Sequence, residues 1–172
     1  KATTKNFGGT DICLIPWICD DNYEHSINEI ETSKAQIALG HLEIKGFEMH
    51  NGAFNNQGLD KKMFHRFEKV ISGHFHKKSD DGQIHYCGSQ YEITWSDYKC
   101  PKGFHIFDTE TREITRVPNP IRIHKKLIYN DKENDYHNMD LSYFKDTFVK
   151  VFVTNKTNEE MFNNLIDRLH NT

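Results

Sequence analysis

The sequence is short of the features that decide a protein's class at a glance. It has four cysteines in 172 residues, Cys13, Cys19, Cys87 and Cys100, and no Cys-x-x-Cys pair. That spacing excludes a zinc knuckle and a thioredoxin-type dithiol. The four read instead as reduced, mostly buried thiols of a cytoplasmic protein. No stretch approaches the roughly 18 consecutive apolar residues of a membrane-spanning helix. Charge of one sign is missing too. With 22 Lys and Arg against 25 Asp and Glu the net charge is −3, so nothing global attracts nucleic acid, and any phosphate contact must rest on local clusters. The opening "KATTKNFGGTDIC" has neither an initiator methionine nor the apolar centre of a signal peptide. It starts abruptly in strand-like sequence, and the expectation is that the chain is the rear part of something longer. Neither an internal repeat nor a low-complexity tract is present.

What remains is globular. Apolar residues make up 36% and charged residues 27%, a balance that supports a folded core rather than disorder. Twelve Phe, seven Tyr and two Trp make that core aromatic. The length suits one domain, or one domain with a small appendage. The pattern is mostly of strands. "GTDICLIPWICDD" and "KAQIALGHLEIKG" are short apolar runs bounded by turn residues, as in buried strands. "HSINEIETS" reads as a short helix. Residues 49–59, rich in Asn and Gly, read as a loop. "DKKMFHRFEK" reads as a helix capped by Asp60. "KVISGHFH" is a further strand. "GQIHYCGSQYEIT" and "GFHIFDTETREITRVP" read as a hairpin-like pair, the second with a tight turn at 108–111. "PIRIHKKLIYND" is extended, and "NDKENDYHNMD" is a polar linker. "TFVKVFVT" alternates as a strand does, and "NEEMFNNLIDRLH" has the apolar spacing of an amphipathic helix. The expected division is 1–130 and 131–172.

Two strands end in Gly-His: "IALGH", with His41, and "VISGHFH", with His74 and His76. Residues i and i+2 of a strand leave on one side, so His74 and His76 can point into one site. If the two strands are parallel neighbours, their C-terminal ends open on one edge, where ligands bind, and His41 can join the pair. Neutral imidazole suits zinc, manganese and iron. The plain alternative is that histidine is simply abundant, with 11 in the chain, and His25, His65, His85, His105, His124, His137 and His170 show no pattern.

"GHLEIKG", "SGHFHK" about thirty residues on, then "YCGSQYEITWSDYKCPKGFHIFD" together resemble the rear half of a calcineurin-like metallophosphoesterase. More narrowly they resemble its SbcD-type DNA repair nuclease branch, in the motif order of the T-even-like phage recombination endonuclease subunits. The resemblance runs from about Thr10 to the C-terminal helix. It implies an α/β (α+β), strand-rich chain: the C-terminal half of a four-layer αββα sandwich, followed by the start of a small capping domain. It implies a parent enzyme, a DNA exo/endonuclease subunit of a recombination or repair complex that hydrolyses phosphodiesters with two divalent metal ions, manganese, about 3.5–4 Å apart. His41 and His74 would hold the second metal and His76 the first. As ligands they must be neutral, so binding should weaken below about pH 6. The implied partners are DNA and an ABC-type coiled-coil ATPase subunit, and the implied compartment is the cytoplasm of an infected bacterial cell.

The family carries Asp-x-His, Gly-Asp and Gly-Asn-His motifs in its front half. The reading is that none of the three occurs in the chain, so no catalytic residue is assigned. The expectation is of half a site, inactive alone, that cannot hold its ATPase. Lys61, Lys62, Lys77 and Lys78 are candidates for DNA phosphate contact, with a solvated basic face as the plain alternative. Trp17 and Trp95 read as core or loop anchors. Loss of cover over "ICLIPWI", "AQIALGHL" and "FEKVISGHF" predicts self-association as a dimer. Two other functions stay open: a metallophosphoesterase for small phosphodiesters or phosphoproteins, and a non-catalytic metal-binding module.

Overall fold

Two glycines set the first turn. In the computed structural model, which describes residues 1–50 and 52–172, Gly8 and Gly9 adopt φ +57 and +87. Successive positive φ values make the tight hairpin turn that matches strand twist. It joins β1 (Thr3–Phe7) to β2 (Thr10–Ile15), paired antiparallel. Helix α1 (Tyr23–Thr32) follows, then β3 (Ile37–Gly40), β4 (Glu48–His50), β5 (Ala53–Phe54), β6 (Lys69–Ser72), β7 (Ser79–Asp80) and β8 (Ile84–Tyr86). β9 (Lys102–Phe107) and β10 (Ile114–Asn119) form a separate hairpin. β11 (His124–Asn130), β12 (Phe148–Asn155) and α2 (Glu159–His170) complete the chain. With these many strands and two α-helices among the described residues, the class is α+β, as expected.

The chain divides into two compact units, Lys1–Pro120 and Ile121–Thr172. The first is built on a six-stranded sheet in the order β1-β2-β3-β6-β8-β7, with β2, β3, β6 and β8 parallel and both edges antiparallel. Parallel strands are covered on both faces and read as continuous apolar runs. Here Ile12 and Cys13, Ile37 and Ala38, and Val70 and Ile71 are all buried. One face packs with Ile30 of α1 and with Phe47, Phe64, Phe67 and Phe75 into a single cluster. The three runs expected to lie bare are thus largely covered by the chain itself.

Other differences are local. Residues 49–59 are not all loop, because β4 and β5 pair there; Asn51 lies outside the described residues. The expected helix after Asp60 is a single 3₁₀ turn, Lys61–Phe64, whose cap is as read: Asp60 accepts from the Lys62 N–H at 3.0 Å. "GQIHYCGSQYEIT" gives β8, a strand of the main sheet, and "GFHIFDTETREITRVP" is by itself the β9–β10 hairpin. Of the cysteines only Cys13 is buried, and Cys19 is exposed.

In the second unit β11 and β12 pair in parallel. The strand read as the end of the first unit therefore belongs to the second. The polar stretch between these strands is not a free linker. Tyr136 stacks on Tyr129 at 4.6 Å, and both sit in one cluster with Leu141, Met161 and Leu165. The C-terminal helix is amphipathic as read, with the Asn158 side chain capping it at the Met161 N–H, 3.0 Å away.

Candidate metal centre

β3 and β6 are parallel neighbours, with Gly40 opposite Ser72. Their C-terminal ends therefore open on one edge, and His41 and His74 leave from those ends. The two rings lie 5.3 Å apart, edge to face. Gly73 permits this approach: a Cβ on it would come within 3.1 Å of His41 Nδ1. Gly40 is needed on its own account, since a Cβ there would meet the Ile15 carbonyl oxygen at 2.9 Å.

Hydrogen bonds hold the two loops in place. The Gly73 N–H donates to the Gly40 carbonyl at 3.0 Å, and the Leu42 N–H donates to Ser72 Oγ at 2.9 Å. Tyr86 ties the next turn, donating to the Leu42 carbonyl at 2.8 Å while accepting from the Ile44 N–H at 3.0 Å. Burial pushes the Tyr86 hydroxyl's pKa well up, so it remains a donor.

β6 stops at Ser72, so His74 and His76 do not use strand alternation. His74 instead has φ +90, a conformation rare outside glycine and costing about 1–3 kcal/mol. The surrounding bonds hold it there. Partial burial lowers the His74 pKa, and the neighbouring His41 and His76 lower it further against the opposing pull of Glu43. The ring is therefore neutral at pH 7, the form a metal takes.

His76 is oriented from behind. Its Nδ1 lies 3.3 Å from Asp97 Oδ2. Asp97 accepts from the Ile93 and Thr94 N–H groups at 2.9 and 3.0 Å and, through Oδ1, from Lys102 Nζ at 2.6 Å. The wholly buried Lys102 ammonium also donates to the His76 carbonyl at 2.9 Å. A carboxylate behind a ligand imidazole fixes its tautomer and ring direction. Sequence reasoning missed Asp97 and Lys102; only the Asp97-x4-Lys102 spacing next to a strand start could have drawn attention.

His41, His74 and His76 all line one groove of about 330 Å³, with Ser89, Gln90 and Tyr91. They do not form a closed three-ligand set. Among the described residues the group whose donor atoms all lie within 4.8 Å of one another is a different one, His85, Cys87 and His105. Trp17, read as a core or loop anchor, is 46% exposed and packs on both ring histidines, 5.9 Å from His41 and 4.9 Å from His74.

The lysines are dispersed. Lys61 pairs with Asp81 at 2.7 Å, and Lys77 with Glu48 at 2.6 Å. Lys62 lies with Lys61 beside a groove formed with Lys45 and Asn55, and Lys78 lines a groove with His85 and His105. One Asp-x-His triplet does occur, later in the chain: Asp135-Tyr136-His137, in the second unit. Its carboxylate and imidazole are exposed and bond each other at 2.6 Å, so the absence read from the sequence holds ahead of His41 only.

No family model matches the chain. It is 35% identical over 154 residues to Exonuclease subunit 1 of Enterobacteria phage T4, covering 90% of this chain and 44% of that protein. It is 28% identical over 137 residues to the SbcD subunit of the SbcCD nuclease of Staphylococcus saprophyticus, covering 67% of this chain and 36% of that one. The corresponding protein of Staphylococcus epidermidis is 24% identical over 164 residues, covering 76% and 44%. The chain thus spans less than half the length of the curated relatives it matches. Over most of its own length, it is a homologue of the SbcD-type nuclease subunits.

Proposed function

We propose that the chain carries the histidine share of a two-metal phosphodiesterase centre, in the C-terminal part of a cytoplasmic DNA nuclease subunit that serves recombination or repair. The observation that carries this is the meeting of His41 and His74 at the C-terminal ends of neighbouring parallel strands, rings 5.3 Å apart, with His76 on the same groove. The donors fit the task, because a divalent ion such as manganese takes neutral imidazole. His41 and His74 would hold one ion and His76 the other. Two such ions, when bound, clamp the attacking and leaving oxygens of a phosphodiester.

The chain's own part is positioning. The strained backbone aims His74, the Asp97–Lys102 pair aims His76, and Trp17 packs against the rings of His41 and His74. Three neutral ligands leave two dications without charge compensation, so the 172-residue chain by itself is proposed to bind manganese weakly and to hydrolyse no DNA. Lys61, Lys62, Lys77 and Lys78 are proposed to meet DNA phosphates, with Lys61 and Lys77 first giving up their carboxylate partners. The second unit is proposed as the start of a capping domain, and an ABC-type ATPase as the partner of the whole protein; that two relatives are named as one subunit of an SbcCD nuclease points to a complex.

Trp17 supplies the test. In a Trp95→Phe background it is the single tryptophan, beside the proposed ligands. Manganese should quench its fluorescence, and His41→Ala or His74→Ala should abolish the saturable part. Quenching unchanged in both variants would sink the proposal. Duplex-DNA cleavage by the purified chain, lost in His74→Ala, would show instead that the site is complete. Cleavage of a chromogenic diester but not DNA would favour a small-diester enzyme.

A further inference from the structure

His85 lies on β8, and Cys87 is the first residue beyond that strand's end. His105 lies on β9, opposite Arg116 of β10. One donor atom from each of the three falls within 4.8 Å of the others. The His85 and His105 rings are 4.9 Å apart, nearly perpendicular. They line a groove of about 630 Å³ that shares no residue with the groove of His41, His74 and His76.

The donors are prepared for a ligand. His85 is 5% exposed, and its Nδ1 lies 2.8 Å from Asp80 Oδ2. Burial raises the Asp80 pKa, but the bonds from His85 and from the Gly82 N–H outweigh it and hold Asp80 below the usual carboxylate range. The carboxylate is therefore ionised and Nδ1–H donates to it. That leaves the lone pair on Nε2, which is buried and meets no hydrogen-bond partner. Both ring nitrogens of His105 are likewise buried without a partner. A buried polar atom left unpaired costs about 1–3 kcal/mol, so His85 Nε2 and a ring nitrogen of His105 beside one thiol require an explanation. A cation supplies one.

We propose that His85 Nε2, Cys87 Sγ and a ring nitrogen of His105 bind a soft divalent transition-metal ion, Zn2+ by ligand type. The ion would fasten the β9–β10 hairpin to the main sheet. Imidazole nitrogen and thiolate sulfur are both ordinary zinc ligands, and three of them leave a fourth position for solvent or a further ligand. Bonds of about 2.0–2.3 Å put tetrahedral ligands roughly 3.4–3.6 Å apart, so the side chains need close by about 1 Å. Asp80 behind His85 is the carboxylate–histidine–metal arrangement. Lys78 and Arg116 border the same groove and oppose a dication. The Asp80 carboxylate and the thiolate formed on binding offset them, with the Cys87 proton released to solvent.

The probe is Co2+ added to the full 172-residue chain. A bound thiolate gives a sulfur-to-cobalt charge-transfer absorption, to which an all-histidine site is silent. The expected result is a saturable band at one equivalent, abolished by Cys87→Ser and unchanged by Cys19→Ser, the control near His41. Asp80→Asn should weaken binding by about 10–100-fold, and Zn2+ should displace the cobalt. No band, or a band that survives Cys87→Ser, would overturn the proposal. If Cys87→Ser does not fold, alkylation of the unsubstituted chain decides: Zn2+ should slow modification of Cys87 while leaving Cys19 reactive, and equal Cys87 rates with and without Zn2+ would overturn it.

Discussion

Lys102 and Asp97 are the perturbation that tests most of the first unit's design. Both side chains are buried, at 0% and 5% exposure, and their charged atoms lie 2.6 Å apart. Removing one partner of a buried pair typically costs 3–5 kcal/mol, because the other charge is left without compensation. Lys102→Met leaves Asp97 with the Ile93 and Thr94 N–H groups, so the low end, about 3 kcal/mol, is expected. Asp97→Asn leaves the ammonium with the His76 carbonyl and a weak amide oxygen, and should cost at least as much. The double variant removes both charges and should cost less than the sum, by about 2 kcal/mol of coupling. Asp97 provides an independent check. Burial pushes its pKa up, but Lys102 and the two N–H groups outweigh that and bring it from 3.8 to about 2. A depressed carboxylate stabilises fully above its unfolded pKa and loses that contribution as pH falls through the folded one. The shift is worth about 2 kcal/mol, lost between roughly pH 4 and pH 2, and Asp97→Asn should flatten that window. Both tryptophans lie in the first unit, so urea unfolding followed by their fluorescence reports it alone. A coupling below about 0.5 kcal/mol, or a neutral Asp97→Asn, would refute the reasoning.

Backbone strain at His74 gives a second comparison: His74→Gly relieves φ +90 and His74→Ala does not, so glycine should be the more stable by about 1 kcal/mol in urea unfolding, with manganese binding lost in both. Gly73→Ala should leave the chain folded, since the new Cβ meets the His41 ring rather than backbone, yet weaken the manganese quenching of Trp17; unchanged quenching would mean that the ring approach is unimportant. Asp131 accepts from the Thr157 and Asn158 N–H groups at 2.6 and 2.7 Å. Burial raises its pKa, but these bonds outweigh it and hold it low. Amide-exchange protection of Thr157 and Asn158 should then be present at pH 5 and fall as pH drops below 4, and Asp131→Ala should lose it throughout.

Much of the scaffold was legible because it rests on local pattern. The apolar runs gave β2, β3 and β6, the 3.6-residue spacing gave α2, and Asp60 announced its cap. What failed were features set by pairing partners far away. Nothing local says that His124–Asn130 pairs with Phe148–Asn155 rather than with the first unit, or that Tyr136, inside a polar stretch, fills a core beside Tyr129. The edge that carries His41 and His74 followed from two Gly-His strand ends, and that inference needed only parallel neighbours. Strand alternation was nevertheless the wrong reason for His74 and His76. They stand beyond the strand end, aimed by strain and by a buried ion pair. His85 and Cys87 carried no visible pattern because their third member, His105, comes from another sheet.

One small residue links these sites. Ser72 is buried at the end of β6, and its hydroxyl accepts from the Leu42 N–H at 2.9 Å while donating to the Gly73 carbonyl at 2.9 Å. Its own carbonyl accepts from the Cys87 N–H at 3.0 Å. The loop after β3 that bears His41, the turn that bears His74 and the segment that bears Cys87 are therefore fastened to one point. The φ +90 conformation of His74 needs such fastening, because a strained residue persists only where its neighbours over-determine it. A hydroxyl is the one small group that can accept from one loop and donate to the next in that space; alanine would leave the Leu42 N–H unpaired, and threonine would add a methyl to a packed core. The serine of Ser-Gly-His is thus as much a part of the site's geometry as the glycine and the histidine.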